Sequence, residues 1–305
     1  MNDDVSSYSN QNGETNERNG SGMGQPKLLD QVRDRIRTKH FSIRTEQTYI
    51  DWIKRFILFH NKRHPKEMGH KEIEAFLTHL AVNRKVAAST QNQAFNAILF
   101  LYDQVLNLET FGSINAMRAK QPERLPVVLS PSEVFSIIDA MSGVHQLIVK
   151  IIYGAGLRGI EYLRLRVKDI DFERNEILVR RGKGQKDRVT MLPIDLRDPL
   201  QKQLRYTKKL HDKDLSQGYG SVYLPFVLSI KYKSADKEWK WQYVFPSSTL
   251  SVDPRSGIKR RHHIHLNSLN HAVKKATAIA GVSKQVSTHV FRHSFATHLL
   301  NVNLY

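Results

Sequence analysis

Four side chains along the 305-residue chain are suited to phosphate chemistry: Arg158, Lys183, His289 and Arg292. Two guanidinium groups can hold the non-bridging oxygens of one phosphodiester, where negative charge grows in a pentacoordinate transition state. A lysine in a strand turn can protonate a leaving oxygen, and a histidine with a pKa near neutrality can move a proton. His289 and Arg292 are three residues apart, so a helix would project both from one face. Taken singly, each residue has an ordinary alternative as a surface charge or a helix-end residue.

Arg158 lies inside GAGLRG, residues 154–159, which matches the G-x-G-x-x-G pattern of dinucleotide-binding loops. An apolar run precedes the match, but an antiparallel hairpin follows it where such folds alternate strands and helices. A nicotinamide or flavin fold is therefore disfavoured, and no cofactor is expected. Glu161, three residues after Arg158, could hold that arginine in place.

Four amphipathic stripes predict a small helical bundle at residues 27–108. The stripes lie at residues 28–36, 49–57, 73–80 and 94–105. The polar faces of these helices are rich in lysine and arginine, and Lys39 and Arg44 are candidate nucleic-acid contacts. The alternative is an ordinary solvated surface.

A second domain is predicted to begin near residue 127, where Ser130, Pro131 and Glu133 form a helix start with a capping box. Helical periodicity then continues to residue 153, and it returns at 195–213 and 266–281. Three short antiparallel strands are predicted at residues 167–172, 176–181 and 188–192. The expected fold is mainly α with a small antiparallel β-sheet: an N-terminal helical bundle followed by an α+β domain.

The charge balance points to a polyanion as the partner. The chain has 47 Lys+Arg against 29 Asp+Glu, a net charge of +18, and residues 1–26 contribute −3 through four carboxylates and one arginine, which leaves +21 on the rest. Nucleic acid is the expected partner of so basic a body, although a basic solvated surface is the alternative. The polar residues 1–26 are predicted to be a disordered tail and residues 109–126 a linker. The chain has no cysteine, no signal peptide and no apolar run long enough to span a membrane, which suits a cytoplasmic protein.

Three stretches resemble the tyrosine site-specific recombinases: GAGLRGIEYLRLRVKDIDF, the hairpin RGKGQKDR and THVFRHSFATHLL. RLPVVLSPSEV, together with KWQYVFPSS and KRRHH in the segment 214–263, is similar to the integron integrases. The resemblance implies a SAM-like DNA-binding bundle at 27–108 and a catalytic domain at 127–305 with 214–263 as an inserted segment. It also implies DNA cleavage and rejoining through a 3′-phosphotyrosine, a clamp of two domains around DNA, and a tetrameric synapse in the intact family member.

The resemblance also assigns roles to individual residues. Arg158 and Arg292 would grip the scissile phosphate, Lys183 would protonate the 5′-hydroxyl, and His289 would assist proton transfer. The family binds double-stranded and folded single-stranded recombination sites, and its inserted segment helps recognise extruded bases. The candidate DNA-binding residues are Lys39, Arg44, Lys186, Arg188, Trp239, Trp241, Tyr243, Arg260, Arg261 and His263.

Two alternatives stay open for the segment 214–263. Its aromatic side chains, Phe245 included, could stack on bases, or they could form a small satellite core. A zinc site built on His262, His263 and His265 is a third, distant possibility. No further pair of ligands stands at zinc spacing, so no metal is expected.

The C-terminal residues depart from the family pattern. In the family a second histidine and the nucleophilic tyrosine lie well beyond the H-x-x-R motif, whereas only 13 residues follow Arg292 here. Tyr305 is therefore not expected to be the nucleophile, because it lies too near Arg292 in sequence. The resemblance suggests a truncated catalytic domain that is inactive alone, and the alternative function is a DNA-binding remnant without strand cleavage.

Overall fold

The structure is a computed structural model that describes residues 26–108, 119, 125–180, 186–224, 228 and 231–302. The predicted tail, most of the predicted linker, Lys183 and Tyr305 lie outside these residues. The chain divides into two compact units, Met1–Glu123 and Arg124–Tyr305. The described residues are mainly helical with two small antiparallel sheets, so the predicted fold class is confirmed.

The first unit is a bundle of four helices: α1 (Leu28–Thr38), α2 (Ile43–Phe59), α3 (His70–Thr78) and α4 (Ala88–Phe100). Wider π-turns follow α3 at His79–Asn83 and α4 at Leu101–Val105. The predicted stripes supply its core, in which Ile53, Phe56 and Ile98 are fully buried. Capping explains the start of α2, since the Ser42 hydroxyl accepts the Thr45 N–H at 3.1 Å.

The second unit begins with three helices: α5 (Pro131–Asp139), α6 (Gly143–Ala155) and α7 (Gly159–Leu163). The predicted capping box is present, because the Ser130 hydroxyl accepts the Glu133 N–H at 3.2 Å and Glu133 accepts the Ser130 N–H at 2.7 Å. The prediction of one helical run from 134 to 153 was wrong in one respect. Gly143 has a φ of 62°, a left-handed conformation that breaks the run between α5 and α6.

A three-stranded antiparallel sheet follows: β1 (Ile170–Asp171), β2 (Glu176–Val179) and β3 (Arg188–Met191). The first strand is shorter than predicted, because Val167–Asp169 forms a 3₁₀ turn. The turn between β1 and β2 is stabilised by the Asp171 carboxylate, which accepts the N–H groups of Glu173 and Arg174 at 2.9 Å each.

Helix α8 (Arg197–Ser216) leads into the segment 214–263, whose second half contains a hairpin that the sequence did not predict. This hairpin pairs β4 (Pro246–Val252) with β5 (Lys259–His263). Its strands are polar on both faces, so they lack the alternation that identifies a half-buried strand. The chain then forms α9 (Leu266–Ile279) and α10 (Thr288–Val302).

Gly156 of GAGLRG serves helix packing. A helix precedes the motif where a dinucleotide fold would have a strand. Gly156 ends α6 with a φ of 62°, and a Cβ at this position would lie 2.6 Å from the ring of Phe295 on α10. The motif therefore allows α10 to approach the end of α6, which places Arg292 beside Arg158.

Candidate phosphate site

Arg158 caps the short helix α7 and is fixed by Glu161. Its backbone N–H donates to Glu161 Oε2 at 2.8 Å, and its Nη1 donates to Glu161 Oε1 at 2.9 Å. The Arg158 side chain remains 35% exposed, whereas that of Glu161 is 5% exposed. The sequence-based expectation that Glu161 holds Arg158 is consistent with these contacts, and the other N–H groups of the guanidinium can still donate to an anion.

A second arginine contacts the same carboxylate. Arg188, the first residue of β3, donates from Nη2 to Glu161 Oε2 at 2.6 Å. Burial is the largest influence on the pKa of Glu161 and raises it, but hydrogen bonds from Arg158 and the charges of Arg188 and Arg158 outweigh it and lower the pKa. Glu161 is therefore ionised at neutral pH.

Helix α10 brings His289 and Arg292 to this place. Arg292 Nη1 donates to the carbonyl oxygen of Gly156, two residues before Arg158. The helix is held by the buried Phe291 and by Ser294, whose hydroxyl accepts the Leu129 N–H at 2.9 Å. Apolar packing on one side of α10 thus turns its basic side towards the start of α7.

The charges of the site residues shift one another's pKa values. Burial, then the charge of Arg158, lowers the pKa of Arg292. Partial burial, then the charges of His293, Arg292 and Arg158, lowers the pKa of His289. The rings of His289 and His293 meet edge to face with centroids 4.4 Å apart. His289 is therefore neutral at pH 7 and can accept a proton.

The structure brings together three of the four predicted catalytic residues, Arg158, His289 and Arg292. The fourth, Lys183, lies outside the described residues. The sequence pattern indicated the role of Glu161, but it assigned Arg188 to DNA contact. The pairing of Arg188 with Glu161 joins a strand to a helix 27 residues earlier, and no local pattern signals such a contact.

The candidate aromatic residues differ in accessibility. Trp239 and Trp241 lie half-buried in a 3₁₀ turn, and the ammonium of Lys168 lies 3.1 Å from the centroid of the Trp241 ring. Tyr243 is 3% exposed, and the guanidinium of Arg166 covers its ring at 3.8 Å. Tyr243 is buried in a small cluster with Val222, Leu224 and Ala235, which agrees with the satellite-core interpretation, so a base could stack on Tyr243 only after the segment opened. Phe245 instead lies in the main core of the second unit.

Arg260, Arg261 and His263 all lie on β5. Arg261 is 11% exposed and forms a two-pronged ion pair with the buried carboxylate of Asp214, with nitrogen–oxygen distances of 2.5 and 2.7 Å. Arg260 lies 3.6 Å from the Asp253 carboxylate. Burial lowers the pKa of His263 to about 4, so this ring is neutral. Because the Arg261 guanidinium is paired with Asp214 in the folded structure, few of its N–H groups can bind DNA.

The remaining candidates are exposed. Lys39 follows α1, Arg44 lies in the first turn of α2, and Lys186 lies two residues before β3. These three side chains are accessible to a polyanion.

The histidines of the zinc alternative have other partners. His265 Nδ1 accepts the Asn267 N–H at 3.2 Å at the start of α9, and His263 Nδ1 donates to the Ile264 carbonyl at 2.8 Å. Among the described residues, no three histidine or carboxylate side chains are placed to hold a metal ion.

No helix in the described part of the chain is long and apolar enough to cross a lipid bilayer.

Two family models match the chain. Residues 28–110 match the phage integrase N-terminal SAM-like domain, and residues 127–304 match the phage integrase family. The chain therefore belongs to the phage integrase family, a family of tyrosine recombinases, and Arg158 and Arg292 form its candidate phosphate site.

Relatives and solved structures agree with this assignment. An "Integrase/recombinase" of Escherichia coli is 46% identical over 274 residues, which cover 90% of this chain and 81% of the relative. A "Tyrosine recombinase" of Pseudothermotoga lettingae is 24% identical over 273 residues, 87% of this chain and 81% of the relative. In fold, the chain is similar to a lambda integrase dimer bound to a core site, with a TM-score of 0.56, 15% identity, and coverage of 88% and 84% of the two chains.

Proposed function

We propose that this protein is a site-specific DNA recombinase of the integron integrase type, which breaks and rejoins strands through a 3′-phosphotyrosine. The observation that carries the proposal is the convergence of Arg158, His289 and Arg292 at the junction of α6, α7 and α10. DNA as the substrate is supported by the net charge of +18. It is also supported by related folds that were solved with DNA.

In the proposed reaction a tyrosine oxygen attacks the scissile phosphorus, the bond to the 5′-oxygen breaks, and that oxygen takes a proton. Arg158 and Arg292 would bind the non-bridging oxygens, on which charge accumulates. Lys183 would donate the proton to the leaving 5′-oxygen, and neutral His289 would assist by accepting the proton that the attacking tyrosine hydroxyl loses. Attack of another 5′-hydroxyl on the phosphotyrosine would reverse these steps and rejoin the strands.

We propose that Tyr305 is not the nucleophile of this reaction. Helix α10 is continuous to Val302, ten residues and about 15 Å along its axis from Arg292. The three residues beyond Val302 span at most about 10 Å, so Tyr305 would need a complete reversal of the chain to approach the phosphate. A polypeptide of these 305 residues alone would then bind DNA without cleaving it, which is the second candidate function.

The DNA-binding proposal predicts a steep salt dependence. Lysine and arginine side chains release counterions from DNA, so affinity should fall by about 10³-fold between 50 and 200 mM salt. If Lys39 or Arg44 binds a phosphate, its replacement by glutamine should reduce the slope of log K against log salt by about one. Fluorescence anisotropy with a labelled duplex measures both quantities. An affinity that is unchanged over this salt range would contradict the electrostatic account.

The integron-type proposal predicts a preference for folded single strands with unpaired bases. Trp241→Ala should reduce the preference for a bulged hairpin over the matching duplex, with base stacking worth about 1–3 kcal/mol. His263→Ala, on β5, should reduce the same preference. Tyr206→Ala is the control, because Tyr206 is an exposed aromatic residue on α8, outside the segment. An equal reduction in the Tyr206 and Trp241 variants, or an unchanged preference with the fold intact, would argue for the satellite core.

A further inference from the structure

We propose that Arg188 is a positioning residue of the phosphate site, which shares the Glu161 carboxylate with Arg158 and thereby keeps the Arg158 guanidinium available to a phosphate. This inference deepens the proposed function and rests on it. It replaces the sequence-based assignment of Arg188 to direct DNA contact.

The Glu161 carboxylate is divided between two arginines. Oε2 accepts the Arg158 backbone N–H at 2.8 Å and Arg188 Nη2 at 2.6 Å, whereas Oε1 accepts Arg158 Nη1 at 2.9 Å. The Glu161 side chain is 5% exposed, so its charge is met by these groups and hardly by water. Arg188 therefore holds the oxygen that Arg158 Nη1 does not use.

Strand β3 directs Arg188 towards Glu161. Side chains alternate along a strand, so Arg188 and Thr190 point to one face, and Val189 and Met191 to the other. Thr190 Oγ1 donates to the Ala155 carbonyl at the end of α6 at 2.9 Å, whereas Val189 and Met191 are 55% and 52% exposed. The inner face of β3 thus packs against the α6–α7 junction, and Arg188 reaches Glu161 from it.

The net charge of the site also depends on Arg188. Arg158 paired with Glu161 alone would form a neutral pair, and among the described arginines of the site Arg292 would then carry the unshared positive charge. With Arg188 the site has three arginines and one glutamate, a net charge of +2 that suits a phosphodiester whose negative charge grows in the transition state. The charge of Arg188 also reaches Arg292, whose pKa it helps to lower. Arg188 therefore offsets the anionic charge that fixes Arg158.

A matched control exists in the same domain. Asp169 accepts the backbone N–H of Arg166 at 3.0 Å, as Glu161 does for Arg158, and Arg180 donates to Asp169 at 2.7 Å from the end of β2. The Arg180 and Arg188 side chains are 42% and 32% exposed. Replacement of Arg180 thus removes a comparable ion pair, together with a longer contact to Asp187 at 3.8 Å. Neither carboxylate is the one that fixes Arg158.

The test is a titration of the full 305-residue chain with inorganic phosphate at constant ionic strength, followed by the NMR signals of the arginine side-chain N–H groups. In the unmodified protein the Arg158 and Arg292 signals should respond together. Arg188→Met should weaken phosphate binding about tenfold, within the range for coupled networks, and Arg180→Met should leave it unchanged. Arg188→Lys should recover most of the affinity, because Arg188 makes a single hydrogen bond to Glu161 in the described structure.

A double-mutant cycle separates positioning from direct contact. In a Glu161→Gln background, Arg188→Met should weaken phosphate binding by less than about threefold, because the residue acts through Glu161. An undiminished tenfold effect in that background would show that Arg188 contacts the anion itself and would overturn the proposal. Failure of Arg158 and Arg292 to respond to phosphate in the unmodified protein would instead overturn the proposed function. Thermal melting of each variant identifies those that fail to fold. If Arg188→Met is among them, the phosphate affinity of Arg188→Lys decides, and an affinity close to that of the unmodified protein is the expected result.

Discussion

Arg292→Lys is expected to reduce covalent DNA cleavage by about 10²–10³-fold in a protein that joins these 305 residues to a C-terminal segment carrying the nucleophilic tyrosine of the proposed reaction. The planar guanidinium can donate to the Gly156 carbonyl and still present parallel N–H groups to a phosphate, whereas an ammonium cannot reproduce this geometry. Trapping of the protein on a nicked suicide substrate, followed by denaturing electrophoresis, measures the adduct.

Three comparisons make this result specific. Arg205→Lys, an exposed position on α8, should cleave as well as the parent. The 305-residue chain without the added segment should give no adduct, and Arg158→Lys in the joined protein should be impaired like Arg292→Lys. A covalent adduct that the 305-residue chain forms, and that Tyr305→Phe abolishes, would refute the proposal that Tyr305 is not the nucleophile.

Arg261→Met is expected to lower the free energy of unfolding by about 3–5 kcal/mol. The substitution would leave the Asp214 carboxylate, 3% exposed, without its charged partner. It would also remove the hydrogen bond from Arg261 Nη1 to the Ser247 carbonyl, 2.8 Å long, which ties β5 to β4. Urea denaturation followed by circular dichroism measures the difference.

Comparison with an exposed ion pair tests whether the buried charge causes the expected loss of stability. Lys208→Met removes the pair with Asp212 on α8, in which both side chains are about half exposed, and should cost less than about 0.5 kcal/mol. Adding Asp214→Leu to Arg261→Met should restore much of the stability, because no unpaired buried charge remains. If Arg261→Met instead weakened DNA binding at unchanged stability, the sequence-based assignment of Arg261 to DNA contact would be correct.

Local patterns in the sequence predicted correctly those helices whose formation depends mainly on residues close together in the chain. The Ser130–Glu133 capping box and the four amphipathic stripes predicted real helices, because caps and a 3.6-residue period depend on neighbours in the chain. The hairpin of β4 and β5 was missed because its strands carry polar residues on both faces. The break between α5 and α6 was missed because it depends on the conformation of one glycine.

The sequence by itself determined the basic charge, the helical scaffold and the pair of His289 and Arg292 on one helix, since each follows from composition or from a spacing of a few residues. Only the tertiary structure decided the partners of the other arginines. The sequence does not distinguish Arg188 from Arg261, since both are basic residues. In the structure Arg188 shares Glu161 with Arg158, whereas Arg261 neutralises Asp214. The physical reason is that a buried carboxylate must be paired with a charged or hydrogen-bonding group. Which arginine becomes the partner depends on tertiary packing, because Arg188 lies 27 residues from Glu161 in sequence and Arg261 lies 47 residues from Asp214.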